Sequence, residues 1–220
     1  MTPSRNALLL TLALVASPAL ASNDVSKVNG TVTADAGQTY GDLETVNGSV
    51  HIGAGAHVED ASTVNGGIDV ADNAVLDSLT TVNGGIKAGN NVRISGGVEA
   101  VNGSIFLDRG TQVQRDVSNV NGGIGLVATE VGGDVQTVTG DVTIGIDSHV
   151  KGQLKVEKPK GSFNFGVNRV PRIIIGPHAV VDGPLIFERE VTLLVHESAK
   201  TGPITGATAR MFNTDTAPKD

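Results

Sequence analysis

The chain has no cysteine and no tryptophan, and only one tyrosine and five phenylalanines among 220 residues. Without cysteine there is neither a disulfide staple nor a cysteine to carry a lipid anchor, so the fold must be held by its core and backbone ladders. Aromatics at 3% leave a conventional globule short of large core side chains, whereas a stacked architecture can be filled by aliphatics. Basic clusters are also missing. Sixteen Lys and Arg stand against 23 Asp and Glu, a net charge of -7, which argues against nucleic acid and anionic lipid surfaces as main partners. No Walker loop, zinc cluster or nucleophile elbow is present. Asp69, Asp72, Asp108 and Asp134 occupy turn or outward positions without the nonapeptide repeat of calcium-binding β-rolls. No metal, cofactor or catalytic residue is therefore expected.

Long apolar runs are lacking too. The most continuous one, residues 7–16, is ten residues long, too short to span a bilayer. It follows Arg5, the single charge among the first 21 residues, and precedes Pro18 and Ala19-Leu20-Ala21, the small-residue pattern of a signal-peptidase site. Residues 1–21 are predicted to be a signal peptide, with Ser22 the first mature residue. The expected location is the periplasm or the cell surface, with no transmembrane segment after cleavage.

What is abundant is repetition. Val-Asn-Gly begins at Val28, Val46, Val64, Val82, Val101 and Val120, and Val138-Thr139-Gly140 follows, in steps of 18 or 19 residues. A fixed period of this size means one structural unit stacked on itself. Aligned on the first Val, the fifth position reads Val32, Val50, Ile68, Ile86, Ile105, Ile124 and Val142, and the seventh Ala34, Ile52, Val70, Ala88, Leu107, Leu126 and Ile144. This alternation is that of a half-buried strand. Turn signals such as Asp35-Ala36-Gly37 and Gly89-Asn90-Asn91 follow. Two more apolar columns run through Tyr40, Val58, Leu76, Ile94, Val113, Val131 and Val150, and through Leu43, Ala61, Leu79, Val98, Val117, Val135 and Leu154.

Each unit is thus two or three short strands joined by tight turns, and the predicted fold is an all-β, single-stranded β-helix (β-solenoid) of about nine coils. A helical repeat is disfavoured because glycine and β-branched residues dominate and no i, i+3, i+4 stripe survives. Within the triplet, Val is predicted to point into the core. Gly is expected where the chain bends with positive φ or where coils approach closely.

Residues 142–154 align without gaps on residues 173–185, and a looser copy runs from Val191 to Ile204. The solenoid domain is placed at 22–204. An irregular insertion at 157–172 carries Phe163 and Phe165 as candidate contacts, and 205–220 is expected to be an end cap, with Met211 and Phe212 as its apolar part, or a tail.

The candidate binding face consists of the residues flanking each triplet Val: Thr45 and Asn47, Thr63 and Asn65, Thr81 and Asn83, Asn102, Asn119 and Asn121, Thr137 and Thr139. They are predicted to form two outward polar columns, suited to a saccharide or protein partner and, less so, to ice.

The cadence Thr63-Val64-Asn65-Gly66-Gly67-Ile68 and Thr81-Val82-Asn83-Gly84-Gly85-Ile86, with Ile144-Gly145 and Gly152-Gln153-Leu154, resembles bactofilin (polymer-forming cytoskeletal) repeats and the adhesin-type repeats of exported bacterial proteins. The resemblance covers nearly the whole mature chain. It implies a right-handed β-helix that assembles end to end, and it carries no catalytic residue across.

The expectation is a non-enzymatic, exported structural or adhesive element of the cell envelope, whose partner is itself, end to end, or another envelope component. The competing expectation is a hexapeptide-repeat acyltransferase, since Ile175-Gly176-Pro177-His178-Ala179-Val180 has that cadence and an imidazole can act as general base. His51, His57, His149 and His196 are scattered, without metal-ligand or triad spacing.

Overall fold

The computed structural model describes residues 23–159 and 169–218, so the expected leader at 1–21 and the candidate contacts Phe163 and Phe165 lie outside the described residues. Among the described residues every strand pairing is parallel, and the strands stack into a β-solenoid of about ten turns. Each turn contributes to three faces. The first carries Val25–Asn29, Leu43–Asn47, Val98–Asn102 and Val117–Asn121; the second carries Val32–Ala34, Val50–Ile52, Ile68–Val70 and Ile86–Ala88; the third carries Arg93–Ile94, Gln112–Val113 and Glu130–Val131, each set continuing up the rod. His57–Asn65 and Val75–Asn83 run unbroken from the third face into the first.

The apolar columns read from the sequence are the core. All members at the fifth and seventh positions, and all of the Leu43 to Leu154 column, are buried. Of the Tyr40 column only Tyr40 is partly exposed; its hydroxyl accepts from the Asp35 amide at 3.2 Å, a fit for a side chain with one polar end. Each fully buried Val, Leu or Ile contributes about 1.5–3 kcal/mol relative to exposure. Because neighbouring rungs present like residues, these contributions come from contacts up and down the stack.

The gapless alignment becomes a register: Val142 pairs with Ile173, Ile144 with Ile175, His149 with Val180 and Leu154 with Leu185. The looser copy is the next turn, with Leu185 beside Ile204. The stack extends past the expected boundary at 204. Ala209–Phe212 pairs in parallel with Thr192–His196 and adds a tenth rung to the second face. Phe212 is buried, with its ring edge-on to His196 at 5.1 Å, while Met211 is 53% exposed, so only one of the two expected apolar residues is covered. Both residues bounding the expected insertion belong to the stack: the Glu157 amide donates to the Thr137 carbonyl at 2.8 Å, and Arg172 pairs with Thr192.

The turn between the second and third faces takes one left-handed residue in each of the first eight coils. It is filled by Gly37, Gly55, Asn73, Asn91, Gly110, Ala128, Asp147 and His178, with φ between 43° and 73°. Gly, Asn, Asp and His are the residues that tolerate this region. Ala128, at φ 43°, has neither glycine's freedom nor a short polar side chain. Ala128→Gly is therefore expected to stabilise the protein by about 1 kcal/mol, raising the melting temperature by about 2–4 °C in a thermal scan.

Candidate functional site

The triplet's sidedness differs from the expectation. On the first face Leu43 points in, so Glu44 points out, Thr45 in and Val46 out, as strand alternation requires. Thr45, Thr63, Thr81, Asn119 and Thr137 are buried, each at most 4% exposed, and do not belong to an outward binding face. Val28, Val46, Val64, Val101 and Val120 are exposed; Val82 and Val138 are half-buried. The missed signal lay in the chain: counting by twos back from Thr45 reaches the apolar column at Leu43. Alternation cannot be counted back from Val50, because the Asn-Gly bend between them resets the phase.

The inward hydroxyls have a structural task. Thr45 Oγ1 donates to the Gly30 carbonyl at 3.0 Å, Thr63 Oγ1 to that of Gly48 at 2.8 Å and Thr81 Oγ1 to that of Gly66 at 3.0 Å. Each ties its rung to the bend of the rung before. At Asn119 the longer amide reaches three rungs: Nδ2 donates to the Gly103 carbonyl of the rung before at 3.3 Å and to the Gly122 carbonyl of its own bend at 2.7 Å, and Oδ1 accepts from Thr137 Oγ1 of the next rung at 2.6 Å. A buried hydroxyl without a partner costs about 1–3 kcal/mol, so these bonds are what permit polar residues in the column.

The asparagines are outward as expected, and they form one continuous ladder. Nδ2 of Asn47, Asn65, Asn83, Asn102 and Asn121 donates to Oδ1 of the asparagine one rung earlier, at 3.0, 2.9, 3.0, 3.1 and 2.9 Å. Thr139 ends it with a hydroxyl donated to Asn121 Oδ1. Most of the amides' hydrogen-bonding capacity along the rod axis is therefore already used within the ladder.

The outer surface of the first face thus has three columns: Glu44, Ser62, Thr80, Glu99, Ser118 and Gln136; the valines; and the asparagine ladder. Between the first two lies a shallow furrow of about 230 Å³, floored by Thr81, Ala100, Asn119 and Thr137 and walled by Thr80, Glu99, Val101, Val120 and Val138. Continuing the register, the valine column passes into Glu157 and Glu188. Lys155 Nζ sits 3.0 Å from Oε1 of each, and these hydrogen bonds push its ammonium pKa up.

The histidines stay apart from this face. His178 is exposed in its left-handed turn, 3.3 Å from Asp147, and its amide donates to Ser198 Oγ at 3.0 Å. His51 lies 3.3 Å from Asp69 and His149 2.7 Å from Asp182. On the third face, Lys151 lies 2.6 Å from Glu130; their hydrogen bond and opposite charge hold the Glu130 carboxyl below its usual range and the Lys151 ammonium above. These pairs are well exposed, so they contribute little to stability.

Among the described residues no helix is long and apolar enough to cross a membrane. Compared with protein-family models, curated proteins and solved structures, the chain has no match.

Proposed function

We propose that this protein is a non-enzymatic, exported structural solenoid of the bacterial cell envelope that associates with itself end to end. The carrying observation is that, among the described residues, both ends of the stack are open parallel edges. At one end Val25–Asn29 and Val32–Ala34 each pair on one side only. At the other, Lys200–Thr201, Ile204–Thr205 and Ala209–Phe212 do the same. An open edge presents a row of unpaired backbone groups that another rung of the same spacing satisfies. Export is supported by the leader pattern at 1–21.

Negative-stain microscopy with mass photometry of the mature chain tests this reading. Unbranched filaments are expected, lengthening with protein concentration. Discrete monomers would overturn end-to-end association in favour of an adhesive module, and compact trimers would favour the acyltransferase architecture.

A further inference from the structure

The valine column is an extended apolar feature on the outside of the rod, and its chemistry changes at one defined rung. Valine occupies rungs one to seven, Val28 to Val138; Glu157 and Glu188 follow at rungs eight and nine, with Lys155 bonded to both. Neighbours within a ladder cover part of each side chain. Val28, with one neighbour, is 68% exposed, while Val46, Val64, Val101 and Val120, with two, remain 39–42% exposed. Solvation alone does not call for valine here, because the adjacent outward column of the same strands carries Glu, Ser, Thr and Gln. A contiguous apolar stripe of this kind marks an interaction surface. Whatever covers it must match a repeat of about 4.8 Å over some 30 Å.

We propose that the cover is a second copy of this chain, laid face to face and antiparallel, with its two-fold axis at Val82. A copy of the same ladder has the required repeat, and a two-fold contact is self-complementary. The acids set the register. Sliding the partner's valines beyond Val138 would bury Glu157, so the largest overlap that keeps acids out of the valine column is rungs one to seven of both copies, centred on rung four. Val64 then faces the partner's Val101, and Val46 the partner's Val120. Glu44 meets the partner's Ser118 and Glu99 the partner's Ser62, so no like charges oppose. In the parallel two-fold alternative each of Glu157 and Glu188 faces its own equivalent, which desolvates like charges together. Seven rungs by three columns cover about 34 by 14 Å, burying about 900–1,000 Å² in total, at the lower bound for a specific interface. The pairing is accordingly weak and concentration-dependent. It goes beyond end-to-end association and involves a different surface.

Sedimentation equilibrium of the mature chain over about 1–500 µM, with far-UV circular dichroism and melting to verify folding, tests the pairing with two double variants at outward positions. The wild type is expected to gain mass with concentration through lateral pairs in addition to any end-to-end growth, and the two double variants, which share that end-to-end growth, isolate the lateral part. V64K/V101K opposes two ammonium groups at each of two rungs and is expected to weaken dimerisation at least tenfold. V64K/V101E opposes each introduced ammonium to an introduced carboxylate in the antiparallel arrangement alone, and is expected to dimerise as well as wild type or better, with the gain fading in high salt. Equal weakening of both variants would overturn the antiparallel register. A wild type that stays monomeric throughout, or a mass unaffected by either variant, would overturn lateral pairing, leaving a ligand or another protein as the cover. Filament growth through the open ends is untouched by these substitutions, so its presence or absence reports only on end-to-end association.

Discussion

Thr81→Lys is expected to destabilise the rod strongly at its middle, whereas Val82→Lys, one residue along the same strand, is expected to leave the melting temperature within a few degrees of wild type. Thr81 is fully buried, between Thr63 on one rung and Ala100 on the next, with its hydroxyl bonded to the Gly66 carbonyl at 3.0 Å. A lysine there must bury an ammonium in a column of hydroxyls and aliphatics that offers no carboxylate, or else force the strand outward. Either costs about 4 kcal/mol or more, a fall in melting temperature of about 8–16 °C for a chain of this size. Val82 stands on the solvent side, where a lysine stem can lie along the neighbouring valines with its charge in water. Thermal circular dichroism of the two variants checks both arms. Equal melting, or the opposite order, would mean that the inside and outside of the first face are exchanged.

Gly103→Ala should be nearly as damaging, although it adds one methyl group. The triplet glycines stack directly on one another. A Cβ built on Gly66, Gly84, Gly103, Gly122 or Gly140 falls well under 3.0 Å from the carbonyl of the preceding glycine in the column. The obstructing atom is backbone, so no rotamer change relieves the contact. Rungs four and five would have to part, straining the bonds from the Gly84 amide to the Asn102 carbonyl at 3.0 Å and from Asn102 Nδ2 to Asn83 Oδ1 at 3.1 Å. A loss of about 3 kcal/mol or more is expected, seen as a melting temperature lower by about 6–12 °C.

Gly30→Ala separates the two reasons for glycine. Gly30 begins the column, with φ 106° and nothing within 4 Å of an added Cβ, so its alanine variant carries backbone strain alone, about 1–2 kcal/mol. If Gly30→Ala proved the more destabilising, strain rather than close approach would explain the column.

Much of the scaffold was legible before any coordinate. The four apolar columns, the turn after Ala34, Ile52 and Val70, and the match of residues 142–154 with 173–185 all come from spacing, because like residues must stack when rungs repeat. The candidate face was legible only in half. Asn47, Asn65, Asn83, Asn102 and Asn121 form the expected outward ladder. Thr45, Thr63, Thr81, Asn119 and Thr137 turned inward, and the valines assigned to the core became the surface.

The sequence by itself determined the period, the strand-and-turn rhythm and the identity of most core positions, since these follow from local alternation and from residues that force turns. Only the tertiary structure decided which side of the triplet faces water, why its glycine must be glycine and that a tenth rung forms beyond residue 204. Alternation fixes side-chain direction only within one strand, and the Asn-Gly bend breaks the count. The approach of one glycine to the carbonyl below, and the pairing of Ala209–Phe212 with Thr192–His196, are distances between rungs, set when the chain closes on itself.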